Sequence, residues 1–210
     1  MQASISSKKV NLSTDKMIFN IALVLLVVWE MPDLAAGHGR LIEPASRNSM
    51  FRYGFDNPAN YNDNELNCGG FGHQYSAGVD GKCGVCGDPF GKEQAHVFRG
   101  KYANNIITKT YIRGQDITVK IELTSNHKGF FTFNIGSIGT PPITQEKLIY
   151  ALRLAGTQDT RYYLPSNSNG IFTVKLKLPE QLVCRQCVMQ WRYTAGNNNY
   201  GTSDGPQVSS

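Results

Sequence analysis

The chain has 210 residues, of which 40% are hydrophobic and 18% charged, and a formal net charge of +5. Its basic residues are scattered rather than gathered into a stripe, which argues against phosphate tracking and against a nucleic-acid partner. No repeat, heptad or low-complexity module interrupts it, so one domain with a full core is the economical expectation.

The first element is a leader. Lys8, Lys9 and Lys16 make a positive start, Met17 to Trp29 is apolar apart from Asn20, and Ala35, Ala36 and Gly37 place small side chains before a cut. Thirteen residues fall short of the roughly 20 needed to span a bilayer, which favours a signal peptide over residues 1–37 and no membrane association after its removal. Met17 is an alternative start and yields the same product. The leader carries three basic and three acidic residues, so the remaining 173 residues keep the charge of +5. The expected protein is secreted, extracellular and monomeric, with His38 as its first residue.

From His38 to Phe90 the chain is rich in Gly, Asn and Pro, with little periodicity. Such a stretch reads as a long loop-rich segment pinned by disulfides. All five cysteines, Cys68, Cys83, Cys86, Cys184 and Cys187, follow the leader and are disulfide candidates in an oxidising compartment. The two CxxC pairs also admit a four-cysteine zinc reading, which the compartment and the long interval between them disfavour. Strand-like alternation then covers Ile106 to Ile112, Asp116 to Thr124, Phe130 to Ile135, Ile171 to Leu178 and Val183 to Thr194. Gln145 to Leu154 fits either a helix or a strand. Short strands between Gly, Asn and Pro turns predict an all-β sandwich. Within the last strand Cys184 and Cys187 point to opposite faces, which predicts different partners for them.

Four histidines are candidates for chemistry. His96 lies in strand-like sequence and reads as structural, and His73 has no patterned neighbours. His127 sits in SNHKG between two strands, at a turn on one end of the sandwich, where its ring is free to face a ligand from elsewhere. A histidine at a free N-terminus carries an α-amine and an imidazole on one residue, so His38 can close a chelate ring by itself. Together His38 and His127 offer three nitrogens, with no thiolate or carboxylate, and such a set favours copper(II). An α-amine with a pKa of about 8 also loses its proton to a metal far more readily than a lysine. No HExxH motif supports a zinc hydrolase.

The segments HGRLIEPASRNSMFRYGF (38–55), NYNDNELNCGG (60–70), GKCGVCGDP (81–89), ELTSNHKGFF (122–131) and CRQCVMQWRYTAGN (184–197) closely resemble the arthropod-type lytic polysaccharide monooxygenases, also described as chitin-binding type-4 domains. The resemblance runs through nearly all of residues 38–210. It implies an immunoglobulin-like (fibronectin-III-like) β-sandwich and one copper ion held by the amine and ring of His38 and the ring of His127. It also implies oxidation of crystalline chitin, or less often cellulose, with peroxide or dioxygen and an external electron donor. Ser125 takes the place of a small residue near the copper's open axial side. Tyr61 and other residues of the loop-rich segment are candidates for a flat face lying on the polymer. Trp191 and Tyr193 read as packing residues of a strand.

Two departures from the pattern bear on activity. Relatives follow the GPQ motif with a glutamate, an axial aromatic and a cysteine; here Gly205, Pro206 and Gln207 are followed by Val208, Ser209 and Ser210, with Ser210 near the aromatic's place. Gly136 stands where relatives often carry a cysteine, and these losses together account for the odd cysteine count. The expectation is an apparently truncated C-terminus, an unpaired sheet edge and weakened or self-damaging turnover. The alternative function is a noncatalytic chitin-binding or cuticle-associated protein.

Overall fold

A computed structural model describes residues 38–196 together with the strand at 206–209. Antiparallel strands dominate it. β1 (His38–Glu43), β2 (Asp116–Ser125), β7 (Gly170–Lys177) and β5 (Arg153–Leu154) form one sheet in the order β1-β2-β7-β5. The other sheet runs β4-β3-β8-β9, from β4 (Tyr150–Ala151), β3 (Phe130–Ser137), β8 (Cys187–Thr194) and β9 (Pro206–Ser209), with β6 (Tyr162–Tyr163) added on β3. The all-β sandwich expected from the sequence is present. The described α-helix is a single turn, Phe71–Gln74.

The inward faces follow directly from alternation. Ile117, Val119, Ile121 and Leu123 of β2 meet Phe131, Phe133 and Ile135 of β3 and Trp191 and Tyr193 of β8, all almost fully buried. Burying each such side chain is worth about 1.5–3 kcal/mol, which makes this cluster the main apolar contribution to the fold. Phe131 is the hub: its ring lies edge-on to Phe172, Trp191 and Tyr193, at centroid distances of 6.1, 5.3 and 5.3 Å.

Four expectations need correction. The segment from Ile106 to Ile112 forms no strand; it runs as irregular chain with Ile107 and Ile112 exposed, because no partner strand takes up its backbone groups. The last long strand begins at Cys187 rather than Val183. Cys184 therefore lies outside the strand, separated from it by a bend at Arg185 and Gln186 where alternation does not apply, and the two cysteines pair with each other across a Cα–Cα distance of 5.7 Å. Cys68 pairs with Cys83, so Cys86 belongs to neither disulfide and is a buried thiol whose Sγ lies 3.4 Å from the His96 carbonyl. With four cysteines in disulfides, the four-thiolate zinc reading falls. The expected unpaired edge is also corrected where the backbone is described: β9 pairs with β8 from Thr194↔Pro206 to Trp191↔Ser209. Ser210 and Gly205 lie outside the described residues.

The loop-rich expectation for residues 38–90 holds after its first six residues. β1 itself carries too little alternation to announce a strand, yet it pairs with β2 over Leu41↔Ile121, Arg40↔Glu122 and Gly39↔Leu123. Gln145 to Leu154 resolves into a short 3-10 turn, Gln145–Lys147, followed by β4 and β5.

Candidate metal centre

One end of the sandwich gathers the start of β1, the end of β2, the start of β3 and the end of β8. His38 sits opposite Ser125 in the β1–β2 ladder, and His127 follows Ser125 by two residues. The Ser125 hydroxyl in turn lies 2.9 Å from His127 Nε2. Ser125 thus links the two histidines: it faces one in register and touches the ring of the other.

Gly39 explains why glycine follows the first histidine. A Cβ there would come within 2.6 Å of Leu123 Cδ2 and 2.7 Å of the Glu122 carbonyl, with Trp191 at 3.2 Å. Only a residue without a side chain lets β1 lie this close to β2 with His38 at its tip.

The turn bearing His127 is fixed from all sides. Its backbone N–H donates to the Tyr193 hydroxyl at 2.8 Å, and its carbonyl accepts from Gly196 N at 2.9 Å. Asn126 closes an Asx turn by accepting from Lys128 N at 2.8 Å, and its amide group donates to the Ser168 and Ser166 carbonyls at 2.7 and 3.2 Å. Gly129 follows with φ +85°, a conformation glycine adopts without a side-chain clash. Burial pushes the Tyr193 hydroxyl up to about 12, so it stays protonated while accepting from His127.

On the other side, His38 Nε2 lies 3.1 Å from Glu65 Oε1. This contact engages the nitrogen far from the backbone. It leaves Nδ1, the nitrogen able to close a chelate ring with the residue's own backbone nitrogen.

The remaining candidates separate clearly. His96 is structural as expected, but in irregular chain rather than a strand: Nδ1 meets Asp88 Oδ1 at 2.8 Å, Nε2 meets Asn48 Oδ1 at 3.1 Å, and the ring stacks on Tyr102. His73 Nε2 lies 3.0 Å from the Phe90 carbonyl. Tyr61 is 82% exposed and touches Phe51 edge to face. Trp191 and Tyr193 pack in the core as expected, but Tyr193 also positions the His127 backbone, which a strand pattern could not announce. Asn126 and Glu65 were likewise missed, although an Asn just before a turn histidine is a local Asx-turn signal.

Residues 38–204 match the family model described as lytic polysaccharide mono-oxygenase, cellulose-degrading. The chain belongs to the lytic polysaccharide mono-oxygenase family. It is also similar to the solved structure of the AA15 lytic polysaccharide monooxygenase from Thermobia domestica in the Cu(I) state, with 36% identity and a TM-score of 0.74 over 82% of this chain and 96% of that one. No curated protein matches significantly. Membership makes this an oxidative, polysaccharide-cleaving mono-oxygenase by family.

The donor set at the sandwich end fits the metal of such an enzyme. Among the described residues no group of three or more His, Cys, Asp and Glu side chains is placed to hold an ion. The imidazoles of His38 and His127 are only two such side chains, and a backbone nitrogen is not counted in such a group. All-nitrogen donation suits copper(II) better than the harder cations. A cavity of about 590 Å³, lined among others by Met50, Ile106, Tyr111, Leu182 and Met189, opens at the opposite end of the sandwich and includes neither histidine.

Proposed function

We propose that residues 1–37 are a signal peptide, and that the secreted domain of residues 38–210 is a copper-dependent monomeric mono-oxygenase that oxidises crystalline chitin, with cellulose as the alternative substrate. The observation that supports this most is the register placing His38 opposite Ser125 and two residues from His127. Distant parts of the sequence thereby bring two imidazoles to one strand end.

In this reading, cleavage after Gly37 frees the His38 amine, and that amine, His38 Nδ1 and the His127 ring would hold one copper ion. The bound copper supplies one-electron chemistry toward peroxide or dioxygen, with electrons from an external donor. Ser125 places a hydroxyl beside the His127 ring and would narrow the approach to an ion held there. Tyr193 and Asn126 hold the His127 backbone so that its ring needs little reorganisation on binding. Tyr61, with most of its ring in solvent, offers an apolar face to a sugar ring of the solid polymer.

The test takes the secreted protein through peptide mass spectrometry of its first residue, copper(II) titration by electron paramagnetic resonance, and analysis of soluble products from chitin and cellulose with a reductant. The expected result is His38 at the terminus, a nitrogen-rich copper signal lost in His127→Ala, and copper-dependent oxidised sugars. A residue retained ahead of His38, or products made equally well without copper, would overturn the reading. Binding to chitin without oxidised products would favour the noncatalytic alternative.

A further inference from the structure

Residues 63–65 meet the first three residues of β1 one for one and in opposite direction. Asp63 Oδ1 accepts from Arg40 Nη1 at 2.5 Å, the Asn64 carbonyl accepts from Gly39 N at 3.0 Å, and Glu65 Oε1 lies 3.1 Å from His38 Nε2. The anchor of this stretch is Asp63, only 1% exposed, which also takes two hydrogen bonds from Arg52, while its carbonyl accepts from Asn48 Nδ2 at 2.7 Å. The Asn64 amide reaches across to Thr124 Oγ1 at 2.8 Å and so joins the stretch to β2 as well.

We propose that residues 63–65 form a clasp on the outer edge of β1, and that Glu65 is the positioning residue that sets the orientation of the His38 ring. An imidazole that donates one N–H to a carboxylate has its ring plane and its tautomer fixed, and the nitrogen left without a proton becomes the ligand. Here the donating nitrogen is Nε2, so the lone pair is presented by Nδ1, beside the residue's own backbone nitrogen. Asp63 supplies the rigidity: its buried pairing holds the clasp in place, so Glu65 acts from a fixed backbone even though its side chain is 44% exposed. The consequence for copper rests on the proposed function; the orientation of the ring does not.

The experiment uses metal-free, ¹⁵N-labelled protein from a secreting host, compared with Glu65→Ala and Glu65→Gln. The one-bond proton–nitrogen signal of His38 Nε2–H is expected in the wild type, retained in Glu65→Gln, whose amide oxygen still accepts, and lost in Glu65→Ala. Copper(II) affinity is then expected to fall about 10–100-fold in Glu65→Ala and only a few-fold in Glu65→Gln, the range typical of a lost hydrogen-bond partner to a ligating histidine. An Nε2–H signal equally sharp in Glu65→Ala, or equal copper affinities in all three proteins, would overturn the clasp while leaving the copper reading intact. A wild type with the Nε2–H signal but no copper binding would overturn the copper reading and leave the ring-orienting clasp standing.

Discussion

The sandwich and the loop-rich segment beside it are held together by different chemistry. Within the sandwich, the buried side chains of β2, β3, β7 and β8 are nearly all apolar. Between Ser46 and His96 the buried side chains are largely polar: Ser46, Asn48, Ser49, Asn57, Asp63, Gln74, Asp88 and His96. Apolar packing is non-directional and tolerates small adjustments, whereas buried polar groups need partners at defined distances and angles. The end proposed to hold the metal lies where the two regions join. His127 comes from the sandwich, and His38 begins a sandwich strand whose outer edge is covered by the polar segment.

That contrast is breakable by substitution. Phe131→Ala removes the hub of the apolar core and is expected to cost about 4 kcal/mol, with loss of cooperative melting for the whole domain by circular dichroism. Asp63→Ala leaves Arg40 and Arg52 without their shared carboxylate and is expected to cost about 3 kcal/mol. Its signature is local: limited proteolysis should cut between residues 44 and 67 while amide exchange of β2, β3 and β8 stays slow. Uniform acceleration of exchange across both regions would show that the polar segment is not a separate unit.

Tyr193→Phe sharpens the comparison at the join. It keeps the ring in the core and removes the hydroxyl that accepts from His127 N and donates to Asn126 Oδ1, so the expected loss is about 1 kcal/mol, accompanied by faster amide exchange at His127. The smallest effect belongs to Glu43, whose carboxyl is lowered to about 2 by hydrogen bonds from Lys109 and Lys120. A lowered carboxyl stabilises fully above its ordinary value of 4.5, and the contribution fades as pH falls from there toward 2. Because both lysines are more than a third exposed, the total is under about 1 kcal/mol. Melting curves of wild type and Glu43→Gln should therefore differ slightly at pH 6 and converge near pH 2; a difference that grows with acidity would contradict the sign.

Legibility in the sequence followed the same divide. Ile117, Val119, Ile121 and Leu123 alternate strictly, and their strand was readable to within a residue at its end. His127 was readable as a turn histidine because strands on both sides delimited it. Ile106 to Ile112 misled because apolar spacing says nothing of whether a partner strand is available. Cys184 and Cys187 misled because a bend between them removed the extended geometry on which the alternation argument depends. Glu65 and Asp63 carried no pattern, since their partners lie at the start of another strand.

The sequence by itself determined the sandwich, its inward faces and the two histidines that are candidate metal ligands, because side-chain period and residue type are local properties. The tertiary structure alone decided that His38 faces Ser125, that Tyr193 holds the His127 backbone and that residues 63–65 grip β1. Those pairings depend on the path of a loop-rich chain whose contacts are directional hydrogen bonds and ion pairs, and such contacts leave no periodicity to read.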